Sequence, residues 1–259
     1  MIEGDPSVKA DRQLAILNIL QRDRTAEVAR LSAELKASKV TVRRDLLQLE
    51  RQGLVRTTRG GAILNQGATY EPDYIVKIGR EREEKGRIAQ AAAAMNEPGD
   101  TILLDAGTTT AAMAHALVGL RDITVISNSL AVANALTRHR GTRFIMIGGV
   151  FRDVSQAFLG PQAEAALHDI RVDRVFIATE AMDVQRGLQV PDDSDASIKR
   201  AMLECGREIV VVADHTKFAI ERLYTFAPWS VVHQLIIGRE APAEALEAVR
   251  QQGVHVTTV

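Results

Sequence analysis

The chain has 259 residues, with 32 Lys+Arg against 33 Asp+Glu and a formal net charge of −1. That length suits one small domain plus one larger domain, and an ordinary hydrophobic content of 46% supplies a sizeable core. No apolar run follows a basic start and none reaches the roughly 18–20 residues of a membrane span, while the single Cys205 excludes an intramolecular disulfide and a cysteine metal cluster, all of which suits a cytoplasmic protein.

Taken in chain order, Arg12 to Gln21 carries Leu14, Leu17 and Leu20 with Ile16 alongside, the spacing of one helix face. Thr25 to Lys36 carries Val28, Leu31 and Leu35 and predicts a second helix. Ser38 is a good N-cap for a third, because its hydroxyl can accept from an unpaired amide of the first turn. Beyond it Val42, Leu46 and Leu49 form an apolar stripe, and Arg44 projects almost opposite with Thr41 and Gln48 beside it. Gly53 is expected to end this helix. Leu54–Thr57 and Ala62–Leu64 are then two short strands, and Gly60-Gly61 between them tolerates the positive φ of a tight turn.

Three short helices and a basic hairpin make a winged helix-turn-helix, a helix for the DNA major groove and a wing for the backbone. Arginines on a helix are ordinarily a solvated face, so the local charge matters. Residues 1–65 hold 12 Lys+Arg and 8 Asp+Glu, net +4, whereas residues 66–259 hold 20 and 25, net −5. A basic patch on an otherwise acidic protein is the electrostatic footprint of a nucleic-acid site. Thr41, Arg44 and Gln48 are candidates for base-edge contacts. Lys39, Arg43, Arg56 and Arg59 are candidates for phosphate contacts, which position without specifying, and Ser38 joins the same DNA-binding set.

Residues 66–79 are expected to be a linker, with Gly67 and Pro72 and no periodicity. Arg80 to Asn96 predicts a long helix ended by Pro98-Gly99-Asp100. After it, apolar strands at Thr101–Leu104, Ile123–Ser127, Arg143–Ile147, Arg174–Ala178, Glu208–Ala213 and Val232–Ile237 alternate with helices. Those helices fall near Thr109–Val118, Leu130–Arg138, Pro161–His168, Ala196–Gly206 and Ala241–Gln252. Such alternation is an α/β fold with a mostly parallel sheet covered on both faces.

Ligands bind outside the carboxyl ends of such strands, and the polar residues gather there. Asp105-Ala106-Gly107-Thr108-Thr109-Thr110 follows one strand and opens a helix; Gly107 lets a backbone approach closely, and three hydroxyls with free helix amides can cradle a phosphate. Asn128-Ser129, Gly148-Gly149 and Asp214-His215-Thr216-Lys217 follow three other strands. Lys199 and Lys217 could neutralise an anionic ligand. The six histidines offer no close pair at ligand spacing, so neither a metal nor another cofactor is expected.

On SKVTVRRDLLQLERQGLVRTTRGGA near the start, and DTILLDAGTTT, TVISNSL, IGGVFR, SIKRAM and VVVADHTKF further on, the chain resembles the DeoR-type (glycerol-phosphate-repressor-like) bacterial transcription regulators along nearly its whole length. The resemblance implies a winged helix-turn-helix over 1–65 and an effector-binding domain over 80–259 that looks like ribose-5-phosphate isomerase, with DAGTTT in the phosphate-binding position. It implies a homo-oligomeric repressor, dimer or tetramer, of a carbohydrate or polyol operon. A phosphorylated sugar or related metabolite would release it from operator DNA. Three departures stand out: Lys36-Ala37-Ser38 replaces Gly-Val-Ser, Arg59 replaces the wing histidine, and Thr179-Glu180-Ala181 replaces a glycine-rich segment. Asp195 also stands where the family has Glu, so Glu180 and Asp195 join the effector-binding candidates. The alternative is a sugar-phosphate isomerase fused to a DNA-binding head. Asp105, Glu180, Asp183, Asp195 and Asp214 are available as bases, but Ala181 and Met182 interrupt the carboxylate cluster that an isomerase carries, and no catalytic residue is expected.

Overall fold

The computed structural model describes residues 6–23, 25–51, 54–64, 67–117, 119–137 and 139–259, in two compact units, Met1–Arg80 and Glu81–Val259.

The first unit contains α1 (Pro6–Asp23), β1 (Thr25–Glu27), α2 (Val28–Glu34), α3 (Lys39–Arg51), β2 (Val55–Thr57), β3 (Gly61–Leu64) and α4 (Tyr74–Gly79). The apolar stripes close one core: Ile16, Leu17 and Leu20 of α1, Val28 and Leu31 of α2, and Val42, Leu46 and Leu49 of α3 meet Leu54, Val55 and Ala62. Asp45, on the buried side of α3, is matched by Arg12, whose Nε and Nη2 donate at 2.6 and 3.3 Å. Ser38 caps α3 as expected, its Oγ accepting from Thr41 N at 3.1 Å.

Several elements differ from the sequence expectation. The helix expected over Thr25–Lys36 begins only at Val28, because Thr25–Glu27 pairs antiparallel with β3 and turns the hairpin into a three-stranded sheet, β1-β3-β2. The expected role of Gly60-Gly61 changes too. Neither glycine takes a positive φ. Gly61 is needed because a Cβ there would overlap the Ala26 carbonyl, so the third strand could not approach. The turn before α3 places Lys36 at φ 49 in the left-handed region, which favours glycine. Ser32 Oγ donates to Ala37 O at 2.6 Å and secures that turn. The expected linker contains α4, and the helix expected over Arg80–Asn96 is interrupted by Glu81 at φ 46 before α5 (Arg82–Ala93). Gly53, Gln66, Val118 and Arg138, which the sequence assigns to helix ends or linker, lie outside the described residues.

After α5 the second unit continues with β4 (Thr101–Leu104), α6 (Thr108–Ala116), β5 (Ile123–Ser127), α7 (Leu130–Leu136), β6 (Thr142–Met146), β7 (Val150–Arg152), β8 (Ala157–Leu159) and α8 (Pro161–Leu167). There follow β9 (Val172–Ile177), β10 (Ala181–Asp183), β11 (Gly187–Val190), α9 (Asp193–Cys205), β12 (Gly206–Ala213), β13 (Tyr224–Ala227), β14 (Gln234–Ile237), α10 (Ala243–Arg250) and β15 (His255–Thr258). Seven strands form one parallel sheet in the order β15-β14-β12-β9-β4-β5-β6. Successive side chains of a strand alternate between faces: Ile102, Leu104, Phe176 and Val210 pack with α5, α6 and α7. Leu103, Val175, Ile177 and Val211 pack with α8, α9 and α10. Both faces are therefore covered, which is why the strands read as continuous apolar runs.

A small antiparallel sheet, β10-β11-β13, and a β7-β8 hairpin were not anticipated. Their strands have three or four residues, too few to establish a period, and β11 is buried throughout. Helix α9 starts three residues before the expected Ala196, because Asp192 caps it by accepting from Asp195 N at 3.2 Å.

Lys36→Gly is expected to raise the urea midpoint of the first unit's unfolding. Relief of the left-handed strain is worth about 1–2 kcal/mol, less the extra freedom glycine has when unfolded, leaving about 0.5–1 kcal/mol. A lowered midpoint would show that Lys36 contributes contacts worth more than its strain.

Candidate functional site

In the first unit, the sequence-predicted residues gather on α3 and the wing. Lys39, Arg43, Arg44, Arg56 and Arg59 are exposed, while Thr41 and Gln48 are half-buried. The Thr41 hydroxyl is 2.8 Å from Ser38 Oγ, so both hydroxyls are engaged with each other. The wing is fastened to α3 by Glu50, which accepts from Thr57 N at 2.6 Å and from Thr57 Oγ1 at 2.7 Å. Those bonds hold the Glu50 carboxyl below its usual range. A groove of about 290 Å³ runs between α3 and the wing, lined by Arg43, Leu47, Thr58 and Arg59 among others. The sequence reading missed Val40 and Leu47. Val40 is 74% and Leu47 51% exposed on the outer face of α3, and the available signal was two apolar residues off the core stripe.

In the second unit, the chain runs β4, β5, β6 to one side, then returns to β9 on the other side of β4 and continues outward. The strand order therefore reverses between β4 and β9, the place where an α/β sheet opens a ligand crevice at its carboxyl ends. Asp105 and Ala178 follow these two strands. Asp105 is fully buried; its Oδ2 accepts from Ala178 N at 3.0 Å and from Lys199 Nζ of α9. Lys199 Nζ also donates to Ala178 O at 3.1 Å and lies 3.8 Å from Asp195 Oδ1. Burial works against the Lys199 charge, but Asp105 and Asp195 outweigh it and hold the ammonium above its ordinary pKa. Lys199 is thus matched within the protein rather than being a free cation for a ligand. Asp105 Oδ1, buried, makes no hydrogen bond among the described residues.

The remaining candidates divide between the crevice and its supports. Gly107 is needed because a Cβ there would come within 2.8 Å of Ala178 Cβ, so it lets α6 close on β9. Of the three threonines, Thr110 donates to Gly107 O at 3.0 Å, Thr109 is buried, and Thr108 is half-buried at the helix start. Asn128 Nδ2 donates to Phe158 O at 3.1 Å, and Ser129 caps α7 by accepting from Val132 N at 3.3 Å. Gly149 avoids the Leu159 carbonyl, and space is open beside Gly148. Lys217 Nζ lies 3.7 Å from Glu180 Oε2. Asp214 Oδ1 accepts from Thr216 N at 3.1 Å and from its hydroxyl. Burial raises the Asp214 pKa, but Lys217, Lys85 and Thr216 outweigh that and hold it low.

Lys85 was missed. Its Nζ lies 3.8 Å from Asp214 Oδ2, and burial pushes its pKa down to about 8 against the pull of Asp214. The signal was a lysine three and four residues before Ile88 and Ala89 on the buried stripe of α5. Beside it, Glu84 accepts from His215 N at 2.8 Å and lies 2.7 Å from His215 Nδ1. Glu81, Glu84 and His215 bring potential metal-ligand atoms within 4.8 Å of one another, a grouping the histidine spacing did not anticipate, but the Glu84 carboxylate is already spent on His215.

Residues 80–239 match the model of the DeoR C terminal sensor domain, and residues 12–68 match that of the DeoR-like helix-turn-helix domain. The chain belongs to the DeoR family of transcriptional regulators. It is 37% identical to the transcriptional repressor AccR of Agrobacterium fabrum over 80% of this chain and 81% of that one. It is 31% identical to the HTH-type transcriptional regulator GlpR of Haloferax volcanii over 95% and 96%. Among solved structures it is similar to a Pyrococcus horikoshii translation initiation factor eIF-2B (TM-score 0.46, 16% identity, 91% and 90% covered). It is also similar to ribose 5-phosphate isomerase A of Methanocaldococcus jannaschii (TM-score 0.39, 16% identity, 53% and 54% covered). As a member of the DeoR family the chain pairs a DNA-binding helix-turn-helix with an α/β sensor domain, and among its described residues no helix is long and apolar enough to cross a membrane.

Two outcomes follow from the buried charges. Lys199→Met strands the Asp105 carboxylate and is expected to destabilise the sensor unit by about 3–5 kcal/mol in denaturant melts; an unchanged midpoint would show that Asp105 finds other partners. For Lys85, the folded value of about 8 lies below an exposed lysine's 10.5, so between them the unfolded chain binds the extra proton and stability rises with pH. Comparing wild type with Lys85→Met from pH 8 to pH 10.5, the difference is expected to move in favour of wild type. A flat difference would mean that Lys85 keeps its ordinary pKa.

Proposed function

We propose that this chain is a sequence-specific repressor of a carbohydrate or polyol catabolic operon, released from operator DNA by a phosphorylated sugar or related metabolite. It acts as a cytoplasmic homo-oligomer. The names of its relatives support repression: AccR is a transcriptional repressor, as is GlcR of Bacillus subtilis, 29% identical over 95% of each chain. The observation that carries the effector reading is the reversal of strand order between β4 and β9, where α6 opens with the half-buried Thr108 and the buried Oδ1 of Asp105 has no hydrogen-bond partner among the described residues. Amides of a helix's first turn lack intrahelical partners and favour an anion, while a carboxylate oxygen accepts a sugar hydroxyl. In this reading Asp105, Gly107, Thr108, Asp195 and Glu180 face or shape the ligand. Asn128, Ser129, Gly148, Gly149, Thr109 and Thr110 build its walls, and Lys199, Asp214 and Lys217 balance charge. Ser38, Lys39, Thr41, Arg43, Arg44, Gln48, Arg56 and Arg59 hold DNA. Release is a population shift: the effector binds the DNA-incompetent arrangement more tightly, and the coupling equals that difference in affinity. We assign no catalytic step, since Ala181 and Met182 interrupt the carboxylate cluster that an isomerase carries.

A thermal-shift screen against phosphorylated and free sugars and polyols tests the reading. A ligand at a hundredfold its Kd adds about 2.7 kcal/mol to stability. One sugar phosphate is expected to raise the midpoint in wild type and not in Thr108→Val, and to dissociate bound DNA. A shift confined to unphosphorylated compounds would remove the phosphate from the reading, and a binder that leaves DNA bound would remove its role in release.

A further inference from the structure

We infer that Val40, with Leu47 two turns along the same face of α3, reads thymine methyl groups in the major groove. The inference rests on the reading of α3 as the recognition helix. At about 100° per residue, the buried Val42, Asp45, Leu46 and Leu49 centre on one side of α3. The line directly opposite carries Val40, Arg44, Leu47 and Arg51. The middle of the presented face is therefore apolar and cationic in alternation, and the polar Thr41 and Gln48 sit at its flank, half-buried.

Val40 and Leu47 do not serve the core, being 74% and 51% exposed while every residue of the core stripe is buried. Their surroundings name the occupant. Lys39, Arg43 and Arg44 are exposed around Val40, and Arg43 and Arg59 line the groove beside Leu47, so the face attracts a polyanion and repels an apolar partner. Val40 has no donor or acceptor, and the one apolar feature that a base edge shows in the major groove is the C5 methyl of thymine. Its place in the first turn of α3 is where recognition helices reach base edges. Seven residues of helix rise about 10 Å, so two methyls about three base-pair steps apart, at 3.4 Å each, would meet Val40 and Leu47 together.

Sequences bound by the purified full-length chain are selected from a random duplex pool. Each thymine of the selected site is then replaced by deoxyuridine, which removes only the methyl. Wild type is expected to weaken roughly fourfold at one position, the worth of one buried methyl group. Val40→Ala should show no further loss there, and Leu47→Ala should behave likewise at a position about three steps away. Circular dichroism melts confirm that these exposed substitutions leave the fold intact. If every uracil is tolerated by wild type, or the penalty persists in Val40→Ala, the inference is overturned while DNA reading by α3 stands. If wild type enriches no sequence, or Arg44→Ala enriches the same one with equal affinity, the recognition-helix reading itself fails.

Discussion

Where the sheet reverses its strand order, the ladder between β4 and β9 ends with Asp105 N donating to Phe176 O at 3.0 Å, and the Asp105 side chain carries the connection one step further. One oxygen of its carboxylate accepts the Ala178 amide across the gap and takes the Lys199 ammonium from α9 beneath. A buried carboxylate is tolerated only when it is paired and hydrogen-bonded, and Lys199 would be equally costly alone. The pair therefore ties β4, β9 and α9 together where the strand order reverses. Gly107 completes the junction by letting α6 approach Ala178.

The two units use charge in opposite ways. In the sensor unit Asp105, Glu180, Asp195 and Asp214 are set against Lys85, Lys199 and Lys217, and the pairs are internal. Four carboxylates there face three lysines, so no lysine is left over as a spare cation. In the first unit the one buried acid of α3 is consumed by Arg12, and Glu50 by the wing. Arg43, Arg44, Arg56 and Arg59 make no ion pair among the described residues. Cations held in solvent cost little to keep and stay accessible to a polyanion, whereas the lysines of the sensor unit are matched inside it.

Much of the fold was legible because its signals are local. The stripes of α1 and α3, the Ser38 cap and the continuous apolar strands β4, β5, β9 and β12 depend on neighbours a few residues away. What escaped depends on distant partners. Thr25–Glu27 has no strand pattern of its own and becomes β1 because β3 offers a free edge. The strands β10, β11 and β13 are too short to show a period. Lys36 and Glu81 adopt left-handed conformations that no pattern announces for a non-glycine residue.

The candidate sites divide along the same line. Sequence by itself determined the two-part organisation, the helix that presents Arg44, and the gathering of Asp105, Asn128, Gly149 and Asp214 at strand ends, since composition, periodicity and chain order suffice for these. Tertiary structure alone decided which charges are spent. It matched Lys199 to Asp105 across 94 residues of chain, drew Lys85 into the cluster, and turned Thr110 and Ser129 into supports. It also left Val40 and Leu47 facing outward. The reason is physical: a side chain's availability depends on burial and on partners brought from far along the chain, and neither is written in the spacing of its neighbours.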